Sequence, residues 1–267
     1  MGDVSLRRLV EIVSAAADHA LTLWAGGKTQ VRQWEKVPGH PVCEADLEVN
    51  VMLRAALTEL APDAGWLSEE TADNADRLAN DRIWVVDPID GTRDYLRGRP
   101  GWCVSVALVE QGLPRFGVLA APARNELWIA EIGRGATRNG VKLVASRRHE
   151  LPGARVPADV LPKADRDLTA VARPNSIALR MAMVAANEAD LVATIRWGNE
   201  WDIAAAALIS QEAGAVVTDA LGDPLAFNRA KPTAFGVLCC APAIHSAAVD
   251  RLKPRAREIL GYSATGE

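Results

Sequence analysis

Arg82-Ile83-Trp84-Val85-Val86-Asp87-Pro88-Ile89-Asp90-Gly91-Thr92 contains a short apolar run, rich in β-branched residues, that stops abruptly at a carboxylate followed by proline. Such a run predicts a buried strand with Asp87 delivered at its tip. Pro88 fixes the turn, and three residues after Asp87 the chain brings Asp90 back towards the same point. The two carboxylates and the intervening Ile89 carbonyl can therefore converge on a hard cation, which takes oxygen ligands. Gly91 and Thr92 open the following segment and offer backbone NH groups where an anionic phosphate can dock.

Downstream of this stretch, residues 104–110, 115–120 and 126–130 are apolar runs separated by Gln111-Gly112-Leu113-Pro114 and Ala121-Pro122-Ala123-Arg124-Asn125, and they read as successive antiparallel strands. Arg134-Gly135-Ala136-Thr137-Arg138-Asn139-Gly140 lacks the spacing of a nucleotide loop and reads as a hairpin turn. Upstream, Leu6, Leu9, Val10, Val13, Ala16, Ala17 and Leu21 recur at helical steps, which predicts an amphipathic helix over residues 5–24 that Gly26 and Gly27 end. A second helix is expected over residues 46–60, closed by Pro62. Residues 27–43 between them, with Pro38, Gly39 and Pro41, predict an exposed loop or short hairpin.

Residues 151–174 are rich in proline, charge and alanine and read as the one seam, predicting a single unit, 1–267, with an α+β half, 1–150, and an α/β half, 151–267. Beyond it the order is helix 176–187, strand 189–195, helix 201–213, strands 216–225, strand 236–241 and helix 243–260. Sheets covered by helices on both sides fit that alternation.

Composition narrows the function. The chain of 267 residues is 49% hydrophobic and 24% charged, enough to bury a large core. Its net charge is −4, its pI is near 5.7, and its basic residues are scattered, which disfavours a nucleic-acid polymer as partner. No run reaches the length needed to span a bilayer and residues 1–8 carry no apolar signal core, so a cytoplasmic location without membrane attachment is expected. Cys43, Cys103, Cys239 and Cys240 form no CxxC pair and read as buried thiols. His19, His40, His149 and His245 do not cluster, and neither a G-x-S-x-G elbow nor a Walker loop is present, which argues against Ser-His hydrolysis and against kinase or ATPase chemistry.

Two further acids stand where a strand or loop gives way to a helix: Glu69 in Trp66-Leu67-Ser68-Glu69-Glu70, and Asp202 after Trp201. Taken singly, Asp202 and Asp46 are ordinary helix caps and Glu69 a solvated loop acid. Together, however, Trp84–Thr92 resembles the first signature of the inositol monophosphatase superfamily, and Trp201-Asp202-Ile203-Ala204-Ala205-Ala206 with Glu212-Ala213-Gly214 resembles its second. The likeness continues through Glu44-Ala45-Asp46, Ser68-Glu69-Glu70, Gly117-Val118-Leu119, Gly135-Ala136 and Asn139-Gly140, over residues 5–260.

That resemblance implies a layered αβαβα sandwich and a magnesium-dependent phosphomonoesterase. It implies that Glu69, Asp87, the Ile89 carbonyl, Asp90 and Asp202 ligate two or three Mg²⁺ ions, that Asp46 and Thr92 orient and deprotonate the attacking water, and that Li⁺ inhibits. Family members occur as monomers and homodimers, and no motif here decides between them.

Substrate preference follows from smaller departures. Arg93-Asp94-Tyr95 after the Asp-Gly-Thr turn resembles the CysQ-type 3'(2'),5'-bisphosphate nucleotidases. Inositol phosphatases tend to carry Glu seven residues before the second-signature Asp, where this chain has Ile195 followed by Arg196. Ser176 matches the Gly-Ser motif of the nucleotidases without its Gly, and Arg180 stands for their Lys. Gly91, Thr92, Arg93, Ser176, Arg180, Arg196 and Trp201 are thus the expected substrate contacts, with Trp197 and Trp201 available to stack on a base. The leading expectation is removal of the 3'-phosphate of adenosine 3',5'-bisphosphate, ahead of an inositol-1-phosphatase or another small sugar or histidinol phosphate phosphatase. A regulator that kept the fold but lost turnover is the remaining alternative, which the intact acids and Thr92 oppose.

Overall fold

The computed structural model describes residues 4–24, 31–37 and 40–261. The elements in chain order are α1 (Leu6–Leu23), β1 (Gln33–Val37), β2 (His40–Cys43), α2 (Glu44–Leu60), β3 (Gly65–Ser68), β4 (Arg82–Asp90), α3 (Thr92–Leu96), β5 (Cys103–Glu110), β6 (Leu113–Ala121), β7 (Glu126–Glu131), β8 (Gly135–Arg138), β9 (Val141–Lys142), β10 (Arg155–Pro157), β11 (Thr169–Val171), α4 (Ile177–Ala185), β12 (Leu191–Ala193), β13 (Trp197–Asn199), α5 (Glu200–Glu212), β14 (Val216–Thr218), β15 (Thr233–Phe235), β16 (Leu238–Cys240) and α6 (His245–Ile259).

Strands β3 to β9 form one seven-stranded sheet in sequence order, parallel only between β3 and β4. Its middle strands are buried on both faces, so their sequences read as continuous apolar runs rather than alternating ones. Trp84, Val86, Val106 and Val118 face α1 and α2, packing with Leu9, Val13, Val49 and Leu53. Their neighbours Val85, Ala107 and Leu119 face the other way, onto Leu179 of α4 and Ala205 and Leu208 of α5. Beyond α4 and α5 lies a three-stranded antiparallel sheet, β12-β16-β14, and Ala248 and Leu252 of α6 cover its outer side against Leu191, Leu238 and Cys240. The result is the five-layer αβαβα arrangement, with all four cysteines buried and free. Among the described residues no helix is long and apolar enough to cross a membrane.

Several boundaries differ from the sequence-based expectation. β4 continues through Asp90, because a register shift between Asp87 and Asp90 absorbs the turn at Pro88 while β5 stays paired. Residues 134–140 include β8, a hairpin strand with turns at both ends, rather than being a turn throughout. The expected strands over 216–225 reduce to β14, and residues 151–174 contain a short parallel pair, β10 with β11. The first helix ends at Leu23 with Trp24 capping it, and Gly26 and Gly27 lie outside the described residues. Within residues 27–43 the short hairpin expected as one alternative is present as the antiparallel pair β1-β2.

Two contacts tie the layers and segments together. Gly117 of β6 lies under α5, where an added Cβ would stand 2.7 Å from the Ala205 carbonyl oxygen. Gly117→Ala is therefore expected to push α5 off the sheet at a cost of about 1–3 kcal/mol; urea unfolding checks this, and an unchanged midpoint would contradict it.

Across the seam, Asp190 joins three segments by accepting hydrogen bonds from Ser146 Oγ, from Arg155 N at 2.8 Å and from the Arg155 guanidinium at 2.7 and 3.0 Å. Burial alone would raise its pKa, but the Arg155 and Ser146 hydrogen bonds and the Arg155 charge outweigh it and hold Asp190 at about 2. A depressed folded-state pKa contributes stability that is present above the ordinary carboxylate range and lost as pH falls from about 4 towards 2. Asp190→Asn should remove on the order of 2 kcal/mol at neutral pH and flatten that part of the acid-unfolding curve; chemical denaturation at stepped pH measures both.

Candidate metal and phosphate site

At the end of β4 the Asp87 carboxylate turns back on its own chain, and its Oδ1 accepts from Ile89 N at 3.1 Å. Three oxygens converge beside it: one from each of Glu69, Asp87 and Asp202 lies within 4.8 Å of the others. Three separate elements deliver them, the end of β3, the end of β4 and the first turn of α5. Oxygens so spaced, all carboxylate, suit a hard divalent cation.

Asp90 lies in the same cleft but is held differently. Its Oδ2 accepts from Ser176 Oγ at 2.5 Å and from Ala178 N at 2.8 Å, so it docks the N-terminus of α4 onto the end of β4. Asp46 and Asp202 each occupy the third position of a helix and reach back to the residue before it. Asp46 Oδ2 accepts from Cys43 N at 2.8 Å and from Cys43 Sγ at 3.0 Å, and Asp202 Oδ2 accepts from Asn199 N at 3.1 Å. Three helix N-termini thus each hold one acid, where the helix dipole favours negative charge. The capping role foreseen for Asp46 and Asp202 and their place at the site are not alternatives, because one carboxylate has two oxygens.

Burial and crowding make the cluster costly to ionise. Desolvation and then the charges of Glu69, Asp90 and Asp202 push Asp87 far above the usual carboxylate range. Burial pushes Asp202 up to about 8, helped by Asp90 and Glu69, and pushes Asp90 up to about 6 against the hydrogen bonds it accepts. Burial also pushes Asp46 up to about 7.

Next to the cluster, Thr92 Oγ1 lies 3.1 Å from the Ile89 carbonyl and 3.4 Å from Asp46 Oδ1. The hydroxyl has one proton, so it donates to one of these acceptors at a time. Gly91 precedes it with φ +99°, and a Cβ there would meet the Gly101 carbonyl at 2.7 Å and Ser176 N at 3.0 Å. Only glycine fits that turn.

The cleft has a volume of about 280 Å³. Of the residues expected from sequence, Glu69, Asp87, Ile89, Asp90, Asp202, Gly91, Thr92, Arg93, Arg180 and Arg196 line it. Asp46 lies behind Thr92 rather than on the wall. Ser176 and Trp201 are not on the wall either: the Ser176 hydroxyl is fully buried and spent on Asp90 and on capping α4, and Trp201 packs half-buried against the core. Trp197 does line the cleft, 54% exposed, with Phe235 at its edge and the Lys231 ammonium 5.2 Å from its ring centroid. Arg173 on the wall and Cys43 beneath Asp46 went unrecognised in the sequence. Arg173 sits in the irregular seam with no motif around it, and Cys43 shows its place only as the residue three before Asp46.

Comparison with known proteins agrees with this geometry. The family model described as the inositol monophosphatase family matches residues 5–254. A Nus factor SuhB of Xylella fastidiosa is 40% identical over 177 residues, 60% of this chain and 62% of that protein, so the chain spans less than two thirds of this relative. A fructose-1,6-bisphosphatase/inositol-1-monophosphatase of Thermotoga maritima is 35% identical over 189 residues, 68% of this chain and 72% of the relative. Among solved structures, an IMPase of Thermotoga maritima superposes with a TM-score of 0.81 at 29% identity, covering 95% of this chain and 98% of the other. The chain belongs to the inositol monophosphatase family, whose members are metal-dependent phosphatases acting on phosphate monoesters.

Proposed function

We propose that this protein hydrolyses a phosphate monoester carrying a second phosphate, with Mg²⁺ held by Glu69, Asp87, the Ile89 carbonyl, Asp90 and Asp202. The observation that carries the metal assignment is the approach of Glu69, Asp87 and Asp202 oxygens to within 4.8 Å of one another at the cost of raised pKa values. A divalent cation removes that cost. Bound there, it would supply Lewis-acid polarisation of the phosphate oxygens and a lowered pKa for the attacking water.

The chain's own groups provide the proton path. When Thr92 Oγ1 donates to Asp46 Oδ1, its lone pairs are free to accept a proton from a water in the cleft. Cys43 N and Sγ hold the other Asp46 oxygen, which keeps Oδ1 aimed at Thr92. Gly91 and Thr92 stand at the start of α3 on the cleft wall, where a phosphate oxygen can meet backbone NH groups. Li⁺, close to Mg²⁺ in size with half its charge, is the expected inhibitor.

The arginines support the choice of ester. Arg173, Arg180 and Arg196 line the same cleft as the carboxylates and offer planar forks suited to a second phosphate. Ile195 stands where a sugar-binding Glu is expected in inositol phosphatases. The 3'-phosphate of adenosine 3',5'-bisphosphate, released to leave AMP, is accordingly the first reading. Inositol 1-phosphate is the second, favoured by the names of the relatives.

Two measurements test these assignments. Mg²⁺ at a hundred times its Kd should stabilise the wild type by about 2.7 kcal/mol. Asp202→Asn should melt higher than the wild type without metal, because it removes a carboxyl group whose ionised form burial, and then the charges of Asp90 and Glu69, disfavour, and gain little when Mg²⁺ is added. Thermal melts in chelator and in Mg²⁺ decide it, and a variant stabilised by Mg²⁺ as much as the wild type would remove Asp202 from the ligand set. Phosphate release from a substrate panel should give a kcat/KM for adenosine 3',5'-bisphosphate at least about tenfold, or 1.4 kcal/mol in barrier, above that for inositol 1-phosphate. The opposite ranking would move the assignment to the inositol ester.

A further inference from the structure

A larger cavity, about 470 Å³, adjoins the catalytic cleft, and Arg173, Arg180 and Arg196 line both. On its far side the wall is largely apolar, formed by Val156 of β10, Leu161 and Leu168 in the irregular segment, Leu191 of β12 and Ile195 just beyond it, with Asp165 paired to Arg251 and Arg255 among them. A volume of this size with apolar walls and a few convergent polar groups is what a small-molecule site requires.

The three arginines are packed closely enough to oppose one another. Burial lowers the Arg180 pKa to about 10, and the charges of Arg173 and Arg196 contribute in the same direction. The Arg180 guanidinium is held in place by the Pro174 and Asn175 carbonyls, both neutral acceptors. Asp159 takes a hydrogen bond from Arg173 and is 71% exposed in its side chain. Positive charge is thus concentrated at the junction of the two cavities, between the carboxylate cluster on one side and the apolar chamber on the other. An anion seated there would be attracted to the arginines, and whatever it carries would extend into one cavity or the other.

We infer that the 470 Å³ cavity is the leaving-group chamber of the enzyme: the reacting phosphate sits at the carboxylates, a second phosphate sits on Arg173, Arg180 and Arg196, and the ring-bearing remainder of the substrate fills the apolar chamber behind them. This rests on the proposed phosphomonoesterase function and narrows its substrate class to diphosphorylated esters with an apolar ring, nucleoside bisphosphates being the class already favoured. Trp197, on the catalytic side of the arginines, is then not the principal base contact.

The chamber can be tested without metal and without turnover. In chelator, adenosine 5'-monophosphate carries the second phosphate and the ring but not the reacting phosphate. Calorimetry on the full chain should show it binding at least tenfold tighter than ribose 5-phosphate, which lacks the ring. Ala158→Phe, which fills the chamber, should weaken adenosine 5'-monophosphate at least tenfold and leave ribose 5-phosphate within threefold. If Ala158→Phe does not fold, Leu161→Trp, which lines the same chamber, repeats the test. Equal affinity for the two ligands, or an equal effect of the filling variant on both, overturns the chamber assignment. A protein that binds as expected yet releases phosphate from no ester with Mg²⁺ overturns the proposed function instead, so the two failures are distinguishable.

Discussion

Like charges buried together repel, and this structure is arranged around holding such a set in place. Each of the acids Asp46, Asp90 and Asp202 accepts backbone NH groups at the start of a helix: α2, α4 and α5 respectively. The helix N-terminus supplies both unsatisfied donors and the positive end of a dipole, worth roughly 0.3–1 kcal/mol and up to about 2 kcal/mol where partly buried. That compensation is partial, as the raised pKa values of Asp46, Asp90 and Asp202 show. The remaining cost is what makes the cluster ready for a cation.

The same contacts organise the molecule. Asp90 pulls the first turn of α4, which belongs to the C-terminal half, onto the last residue of β4 in the central sheet. Gly117 lets α5 lie close enough to β6 for Asp202 to reach the group formed with Glu69 and Asp87. The layers are therefore more than a core: their spacing determines whether three carboxylate oxygens meet. A methyl group added under α5 acts on the site from a distance, through the helix that carries Asp202.

Charge of both signs lines the cleft, and the proposed doubly anionic ester would use both. The carboxylates of Glu69, Asp87, Asp90 and Asp202 line the cleft together with Gly91, Thr92, Arg173, Arg180 and Arg196. Cations and anions at this spacing would neutralise one another if they made direct pairs. Instead Arg180 is tethered to the neutral carbonyls of Pro174 and Asn175, Asp90 to α4, and Arg173 pairs with the exposed Asp159 rather than with the cluster.

Much of this was legible in the chain itself. The apolar run ending at Asp87, the helical periodicities, the separated strands of the meander and the two acidic signatures each depend on local pattern: strand and helix periods and turn residues act over a few positions, so a linear reading captures them. Three matters were decided only by folding. β4 runs on to Asp90, because β5 pairs across the bulge and supplies partners that the sequence does not display. Ser176 and Trp201 lie off the cleft wall, because the Ser176 hydroxyl turns to a carboxylate 86 positions earlier and the indole packs into the core. Arg173, in a segment without periodicity, joins Arg180 and Arg196 at one junction. Local stretches carry their own propensity, whereas side chains distant in sequence become neighbours only when the layers pack, and electrostatic meaning depends on those neighbours.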